Sequence, residues 1–273
     1  MTGSRKDKII LQNLTVSYEE KGGLFTALDD ISFGVADGEF VSVIGSSGCG
    51  KSTLLSVLEG LLRPSGGSAL IDGAPISGPG PDRGVVFQSY SLFPWMTARK
   101  NVAFGIKHAR RELKRAEVYR IADEYLEKVG LSDSRGRYPS RLSGGMQQRV
   151  AIARALAMDT DILLMDEPFG AVDAKNRVQL QEMLLDLWGH EARRKTVVFI
   201  THDIDEAIFL SDRVVMLTES PGRVYRDIHV PFPRPRDRSG LLGSSVYVEF
   251  RRDVTALFFG DKTGETEDDW VKI

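Results

Sequence analysis

Three short stretches of this chain carry residue types and spacings suited to phosphate chemistry. The first is Gly45-Ser46-Ser47-Gly48-Cys49-Gly50-Lys51-Ser52-Thr53, which fits the pattern G-x-x-x-x-G-K-S/T. Its glycines let backbone N–H groups turn inward onto phosphate oxygens. A helix starting at the loop's end adds the positive end of its dipole. Lys51 would reach the β- and γ-phosphates, and the Ser52 hydroxyl would ligate Mg²⁺.

The second stretch is Ile162-Leu163-Leu164-Met165-Asp166-Glu167. An apolar strand here delivers two adjacent carboxylates to its C-terminal end, where open α/β sheets hold ligands. Asp166 would hold Mg²⁺, directly or through water, and Glu167 would polarise an attacking water. On its own the pattern is also that of a strand ending in acids before a turn. The third is Thr201-His202-Asp203 after the apolar run 196–200. It brings His202 to the same edge, within reach of a γ-phosphate, although a histidine after a strand can equally be a cap or a surface residue. Gln88 closes the run Gly84-Val85-Val86-Phe87 and would ligate Mg²⁺ or hold the attacking water; the bland alternative is a solvated side chain.

A further glycine pair stands at Leu142-Ser143-Gly144-Gly145-Met146, ahead of a helical segment. By the same physics it is a second anion site at a helix N-terminus, or simply a helix start with Ser143 as N-cap. Intervening residues place it away from the first loop, so one chain cannot obviously bring both to one phosphate.

The elements that must position these residues alternate along the chain. Residues 9–18 and 31–36 read as strands with a polar loop over 19–25, and a turn at 37–39 leads into the buried strand 40–44. A helix follows at 54–58, with a stop at 63–68. A short strand at 68–72, a stiff loop at 78–82 and the strand 84–88 come next. Over 97–140 helical periodicity takes over: Val118, Ile121, Ala122, Tyr125, Leu126 and Val129 form one apolar face capped by Gly130. The alternation resumes with a helix at 147–158, a strand at 161–165, a helix at 175–188, a strand at 196–200, a helix at 204–210 and a last core strand at 213–217. Strand–helix alternation of this kind gives a parallel sheet with right-handed crossovers, and antiparallel opening strands would make it mixed. One more helix is expected at 246–258, and the acidic end 264–269 reads as disordered.

Composition narrows the function classes. The chain has 273 residues and a formal net charge of −2, which gives no electrostatic footprint for nucleic acid. No apolar run approaches a membrane span. The first eight residues lack the apolar core of a secretory signal. The one cysteine, Cys49, cannot form an internal disulfide, which fits a cytosolic compartment. Cys49 reads as a small loop residue or, less simply, as a thiol activated by a helix N-terminus.

Together, Gly45–Thr53, Gln88, Leu142–Met146, Ile162–Pro168, Ala171-Val172-Asp173 and His202 resemble the ATP-binding subunits of ABC transporters. Met146 stands where the family's signature has glutamine and Val172 where its D-loop has leucine; neither change removes a polar group the chemistry needs. The resemblance implies an α/β P-loop NTPase fold with a mixed sheet, of the ABC ATPase type with an inserted helical subdomain. The ATP-binding core would cover 8–96 and 147–225, the insertion 97–146, and a short extension 226–273. It implies ATP and Mg²⁺ as cofactors, and a head-to-tail homodimer in which Ser143, Gly144 and Gly145 of one chain meet the γ-phosphate held by Gly45, Ser46, Ser47, Gly48, Cys49, Gly50, Lys51, Ser52 and Thr53 of the other. Tyr18 would stack on adenine and Asp173 would cross the interface.

A closer likeness, carried by 78–88, Leu92-Phe93-Pro94-Trp95-Met96-Thr97, Asn101–Gly105, Tyr138-Pro139-Ser140 and Pro221–Val224, is to bacterial importers of nitrate, taurine and aliphatic sulfonates. It implies a membrane permease gripped by residues 89–101, a periplasmic binding protein as an indirect partner, and a peripheral position on the cytoplasmic face of the cell membrane. The aromatics Phe93 and Trp95 could equally pack the insertion's own small core. The alternatives are a soluble ABC ATPase acting in DNA repair or on ribosomes, and a non-hydrolysing nucleotide switch. A long coiled-coil insertion, two cassettes or a basic surface would favour the first, and this sequence has none. Glu167 and His202 argue against the second.

Overall fold

A computed structural model describes residues 6–20, 23–189 and 194–260. Its first strands, β1 (Asp7–Glu20) and β2 (Gly23–Ala36), form one long antiparallel hairpin. The hairpin replaces most of the loop expected at 19–25 and extends the strand expected at 31–36. The partial alternation of β1 has a local cause. Ile9 and Leu11 face inward, then the phase slips and Leu14 and Val16 do. The pairing shifts register between Leu11 and Leu14, where Asn13 adopts a left-handed φ of 49°. A bulge at that point re-aims the apolar face.

After β3 (Phe40–Ile44) and α1 (Lys51–Glu59), the strands β4 (Gly66–Ile71) and β5 (Ala74–Pro75) join the hairpin in the order β2-β1-β4-β5. The opening strands thus make a sheet of their own. The larger sheet runs β10-β9-β3-β8-β7-β6, with β6 (Arg83–Val86), β7 (Ile162–Asp166), β8 (Thr196–Thr201), β9 (Arg213–Leu217) and β10 (Val224–His229). Its members are parallel except β10, which runs antiparallel to β9 and makes the sheet mixed. The strand β10 lies beyond 213–217, the segment expected to be last.

β3 is buried along its whole length and sits between β8 and β9. Strands covered on both faces read as continuous apolar runs rather than alternating ones, and Phe40-Val41-Ser42-Val43-Ile44 does so. Helix α1 lies between the two sheets: Leu54, Leu55 and Leu58 share a core with Leu14, Ile31, Val41, Ile162 and Val198. Burying one such leucine contributes about 1.5–3 kcal/mol. Lys8, 4% exposed, is bonded at 2.7 Å to both Asp72 and Asp161, which pins the small sheet to the start of β7.

The insertion holds α2 (Ala98–Ala109) and α3 (Arg115–Lys128), followed by two short 3-10 turns. Val118, Ile121, Ala122, Leu126 and Val129 face inward as the periodicity requires. Helix α4 (Gly144–Ala157) starts three residues ahead of its expected position. Its Val150, Ala153 and Ala157 pack into the insertion, while Ala151, Ile152, Ala155 and Leu156 pack against the large sheet with α5 (Ala174–Gly189). The expected divisions at 146/147 and 225/226 therefore run through α4 and β10. On the far edge α6 (Ile204–Leu210), α7 (Arg238–Leu242) and α8 (Ser245–Phe259) cover β9. The acidic stretch 264–269 lies outside the described residues.

Candidate nucleotide site

The C-terminal ends of β3, β6, β7 and β8 open on one edge of the large sheet, and each delivers a residue there. Together they line a cleft of about 640 Å³ walled by Ser47, Gly48, Gly50, Lys51, Ser52 and Thr53, with Tyr18, Gln88, Glu167 and His202 around it. The loop's shape depends on glycine at two points. Gly48 and Gly50 have φ of 82° and 96°, values that side chains disfavour. A methyl group on Gly50 would also lie 2.5 Å from Leu28 Cδ2 and 2.8 Å from the Ala27 carbonyl. Gly50 caps α1 without any side-chain acceptor, so the first N–H groups of that helix face the cleft ready for an anion.

Lys51 lies along the loop. Its Nζ donates to the carbonyls of Gly45 at 2.8 Å and Ser46 at 2.9 Å, with Cys49 Sγ at 3.8 Å. Cys49 is buried, which suits the small packing residue rather than an exposed thiol. Tyr18 stands at the cleft edge, 37% exposed, its hydroxyl 3.4 Å from Thr53 Oγ1. It lines the cleft while half-exposed, a position from which an aromatic ring could stack on a base.

Asp166 ends β7 half-buried. Burial pushes its carboxyl above the usual range, the neighbouring Glu167 adds to this, and Lys51 opposes it. An acid raised in this way favours a cation beside it. Glu167 follows with a left-handed φ of 39°, a rare conformation for a glutamate, and its N–H donates to the Ile200 carbonyl at 3.0 Å. The bend leaves its carboxylate between two partners. His202 Nδ1 is 3.1 Å from Oε1, and Gln88 Nε2 donates to Oε2 at 3.3 Å. His202 itself is 64% exposed. Behind it Asp203 caps α6 by accepting from the N–H groups of Asp205 and Glu206, and Thr201 donates to Glu206 Oε2 at 2.7 Å. Gln88 lies two residues past the end of β6, not within it as expected.

Ser52, Asp166 and Gln88 offer a hydroxyl, a carboxylate and an amide oxygen. Ser52 and Gln88 line the cleft, while Asp166 is outside its wall but close enough to Lys51 for their charges to interact; such hard oxygen donors fit Mg²⁺, which takes them together with phosphate oxygens and water.

The second glycine pair is elsewhere. Ser143 caps α4, its hydroxyl accepting from the Met146 N–H at 3.4 Å. Neither Ser143, Gly144, Gly145 nor Asp173 lines the cleft. Asp173 is instead bonded to the Asn176 side chain and backbone, which hold its carboxyl below the usual range.

Two features escaped the sequence reading. Phe25 also lines the cleft, directly paired with Tyr18 across the hairpin; it falls in the stretch read as a loop, and only the strand pairing reveals it. Tyr90 and Ser91, just after Gln88, both adopt left-handed φ, 61° and 45°. The buried Arg154 of α4 holds their carbonyls at 3.2 and 2.7 Å, and the Tyr90 hydroxyl donates to the Ala171 carbonyl at 3.2 Å beside Gly144. No signal in Tyr-Ser announces that geometry. Downstream, the buried Asn101 ties the turn together by donating to the carbonyls of Phe93, Met96 and Thr97. Trp95 is left 69% exposed and Phe104 46% exposed, with Phe93 between them at 5.5 and 4.7 Å.

Known proteins share this arrangement. A family model described as ABC transporter matches residues 28–170. The nitrate import ATP-binding protein NrtD of Synechococcus elongatus is 49% identical over 238 residues, 87% of this chain and 86% of that protein. The bicarbonate transport ATP-binding protein CmpD of the same species is 47% identical over 244 residues, 89% of this chain and 87% of that protein. A solved dimeric bacterial ABC transporter cassette, MJ0796, has a TM-score of 0.74 at 35% identity, covering 82% of this chain and 100% of its own. The chain belongs to the ABC transporter family. Within it, the chain is an ATP-binding subunit and an ATPase. No helix among the described residues is long and apolar enough to cross a membrane.

Proposed function

We propose that this chain hydrolyses ATP to energise a bacterial importer of a small anion, in the class of nitrate, bicarbonate, taurine or a sulfonate. The observation that carries the reading is Glu167, whose carboxylate is held at the mouth of the phosphate cradle by His202 at 3.1 Å and Gln88 at 3.3 Å. Glu167 is the general base: it orients the attacking water and takes its proton on a carboxylate oxygen. Lys51 leaves the carbonyls of Gly45 and Ser46 for the β- and γ-phosphates, and His202 holds Glu167 through Nδ1. Mg²⁺, held by Ser52, Asp166 and Gln88, would neutralise charge on the phosphate oxygens.

The position of Ser143, Gly144, Gly145 and Asp173 outside the cleft supports their use by a second copy, arranged head to tail. The dimeric MJ0796 cassette, also solved in a post-hydrolysis state bound to ADP and Pi, supports the same assembly. The exposed Trp95 and Phe104 support residues 89–101 as the grip on a membrane permease at the cytoplasmic face, with a periplasmic binding protein beyond it. Nitrate and bicarbonate in the names of two relatives support a small anion as cargo, against a soluble ATPase acting on DNA or ribosomes.

Glu167→Gln tests the core of this reading. Light scattering of the variant with ATP should show a stable dimer, with turnover nearly abolished; a monomer hydrolysing ATP at the wild-type rate refutes the assigned base. Co-purification of the wild type with ribosomes or DNA, rather than with a permease, overturns the transport assignment.

A further inference from the structure

A larger hollow than the nucleotide cleft, about 1050 Å³, lies on the helical insertion and belongs to none of the chemistry above. Arg99 and Lys100 from α2, Arg115 and Tyr119 from α3, and Arg135 from the following turn meet around it. Asp123 is the one carboxylate in its wall, in a chain whose overall formal charge is −2.

That carboxylate is already shared. Arg99 pairs with Asp123, and Arg135 Nε lies 3.6 Å from it, beyond a hydrogen bond. The Nε atoms of Arg99 and Arg135 are both buried without a hydrogen-bond partner. Asp123 Oδ1, the atom facing Arg135 Nε, is buried without a hydrogen-bond partner too, so one carboxylate serves two guanidinium groups and fully satisfies neither. Lys100 and Arg115 have no ion-pair partner among the described residues. Arg99 lies 4.6 Å and Arg115 5.7 Å from the centre of the Tyr119 ring.

The helix ends sharpen the imbalance. Arg99 and Lys100 occupy the first turn of α2, which contains no acid, whereas Arg115 opens α3, whose first turn also holds Glu117. Cations at the start of α2 oppose the positive end of its dipole. A local rule broken there with no acid in the same turn marks a place where something else is gained. A bound anion supplies the missing compensation.

We propose that this hollow binds a phosphate group, with Arg99, Lys100, Arg115 and Arg135 as its cationic wall. The guanidinium forks suit phosphate oxygens bidentately. None of Phe93, Trp95 or Phe104 lines the hollow, while Thr97, Arg99 and Lys100 of its wall fall within residues 89–101, so the hollow borders the segment proposed to grip the permease and Arg115 and Arg135 lie outside it.

The test uses the full chain with its nucleotide cleft saturated by Mg²⁺ and a non-hydrolysable ATP analogue, which fills the γ-phosphate position too, so that the P-loop cannot take the probe. Inorganic phosphate is titrated at constant ionic strength, and the melting temperature is followed. A saturable rise is expected, with its midpoint moved about tenfold or more in Arg115→Ala/Arg135→Ala. Arg115→Glu, at an exposed position, repeats the experiment should the double variant fail to fold. Co-sedimentation with vesicles containing phosphatidylglycerol, lost in the same variants and absent with phosphatidylcholine alone, assigns the phosphate to a lipid headgroup. Saturation by phosphate without vesicle binding assigns it to a soluble ligand. A rise that chloride reproduces at equal ionic strength, or that both variants retain, overturns the site.

Discussion

Two helices of this chain start from glycine-flanked loops, and they are built differently. α1 follows Gly50 in a left-handed conformation with no side-chain cap, so its first N–H groups stay free. α4 follows Ser143, whose hydroxyl already takes one of them. The first loop lies at the end of the fully buried β3, beside the carboxylates of β7 and the histidine after β8. The second follows a 3-10 turn on the insertion and has none of these neighbours. Similar glycine patterns thus yield one loop set among carboxylates and a histidine and one without those neighbours. In the proposed head-to-tail dimer, the first loop of one copy would be completed by the second loop of the other.

The comparison can be broken most decisively at Glu167. If the first loop's neighbours carry the chemistry, Glu167→Gln lowers the ATP turnover number by about 10²–10⁴-fold while ATP affinity, read by equilibrium binding, stays near wild type. Next come the glycines. Gly50→Ala should cost about 1–3 kcal/mol in denaturant unfolding, because the residue needs φ near 96° and its methyl meets Leu28 and Ala27; it should also weaken nucleotide binding. Gly145→Ala has 3.5 Å of space to Asn176 and should fold normally. It should nevertheless lower ATP-driven dimerisation seen by analytical ultracentrifugation. Equal effects of the two substitutions on stability would erase the distinction between the loops. A smaller effect is expected from Ser143→Ala, about 1 kcal/mol of stability from the lost cap, checked by thermal melting.

The far ends of the same helices sharpen the contrast. α4 ends near Arg154, a buried cation at the negative end of its helix, bonded to two carbonyls. α1 ends at Glu59, a buried carboxylate at the equivalent end, where burial and then Asp166 push its pKa from 4.5 up to about 7. The folded state therefore holds the Glu59 proton more tightly than the unfolded chain does. Its contribution favours folding below pH 4.5 and is progressively lost as pH rises toward 7. The melting temperature of Glu59→Gln should fall less than that of the wild type across this window; parallel curves would show that Glu59 does not titrate there.

Much of this was legible in the residues. The cradle, the Asp166-Glu167 pair and His202 announce themselves because backbone geometry around glycine and the ends of buried strands are local properties. Ile162–Asp166 and Thr196–Thr201 appear as strands within one residue of their expected places, since a strand covered on both faces must be apolar throughout. Other features were invisible for equally physical reasons. The slip at Asn13 disguised how far the hairpin extends, and with it Phe25 in the cleft wall. The left-handed Tyr90 and Ser91 carry no composition signal. β10 alternates too weakly to stand out, with no fully buried residue along it. The hollow at Arg99 and Arg135 joins residues 36 apart whose neighbourhood no spacing rule describes.

The sequence by itself determined which groups are suited to phosphate, because a glycine loop, its lysine and the acids at strand ends act through a few consecutive residues. Only the tertiary structure decided which of them meet. The sheet order β9-β3-β8-β7-β6 brings His202 and Gln88 onto opposite oxygens of Glu167 and leaves Ser143 outside. Such distances depend on how strands far apart in the chain pack side by side, and no local pattern encodes that.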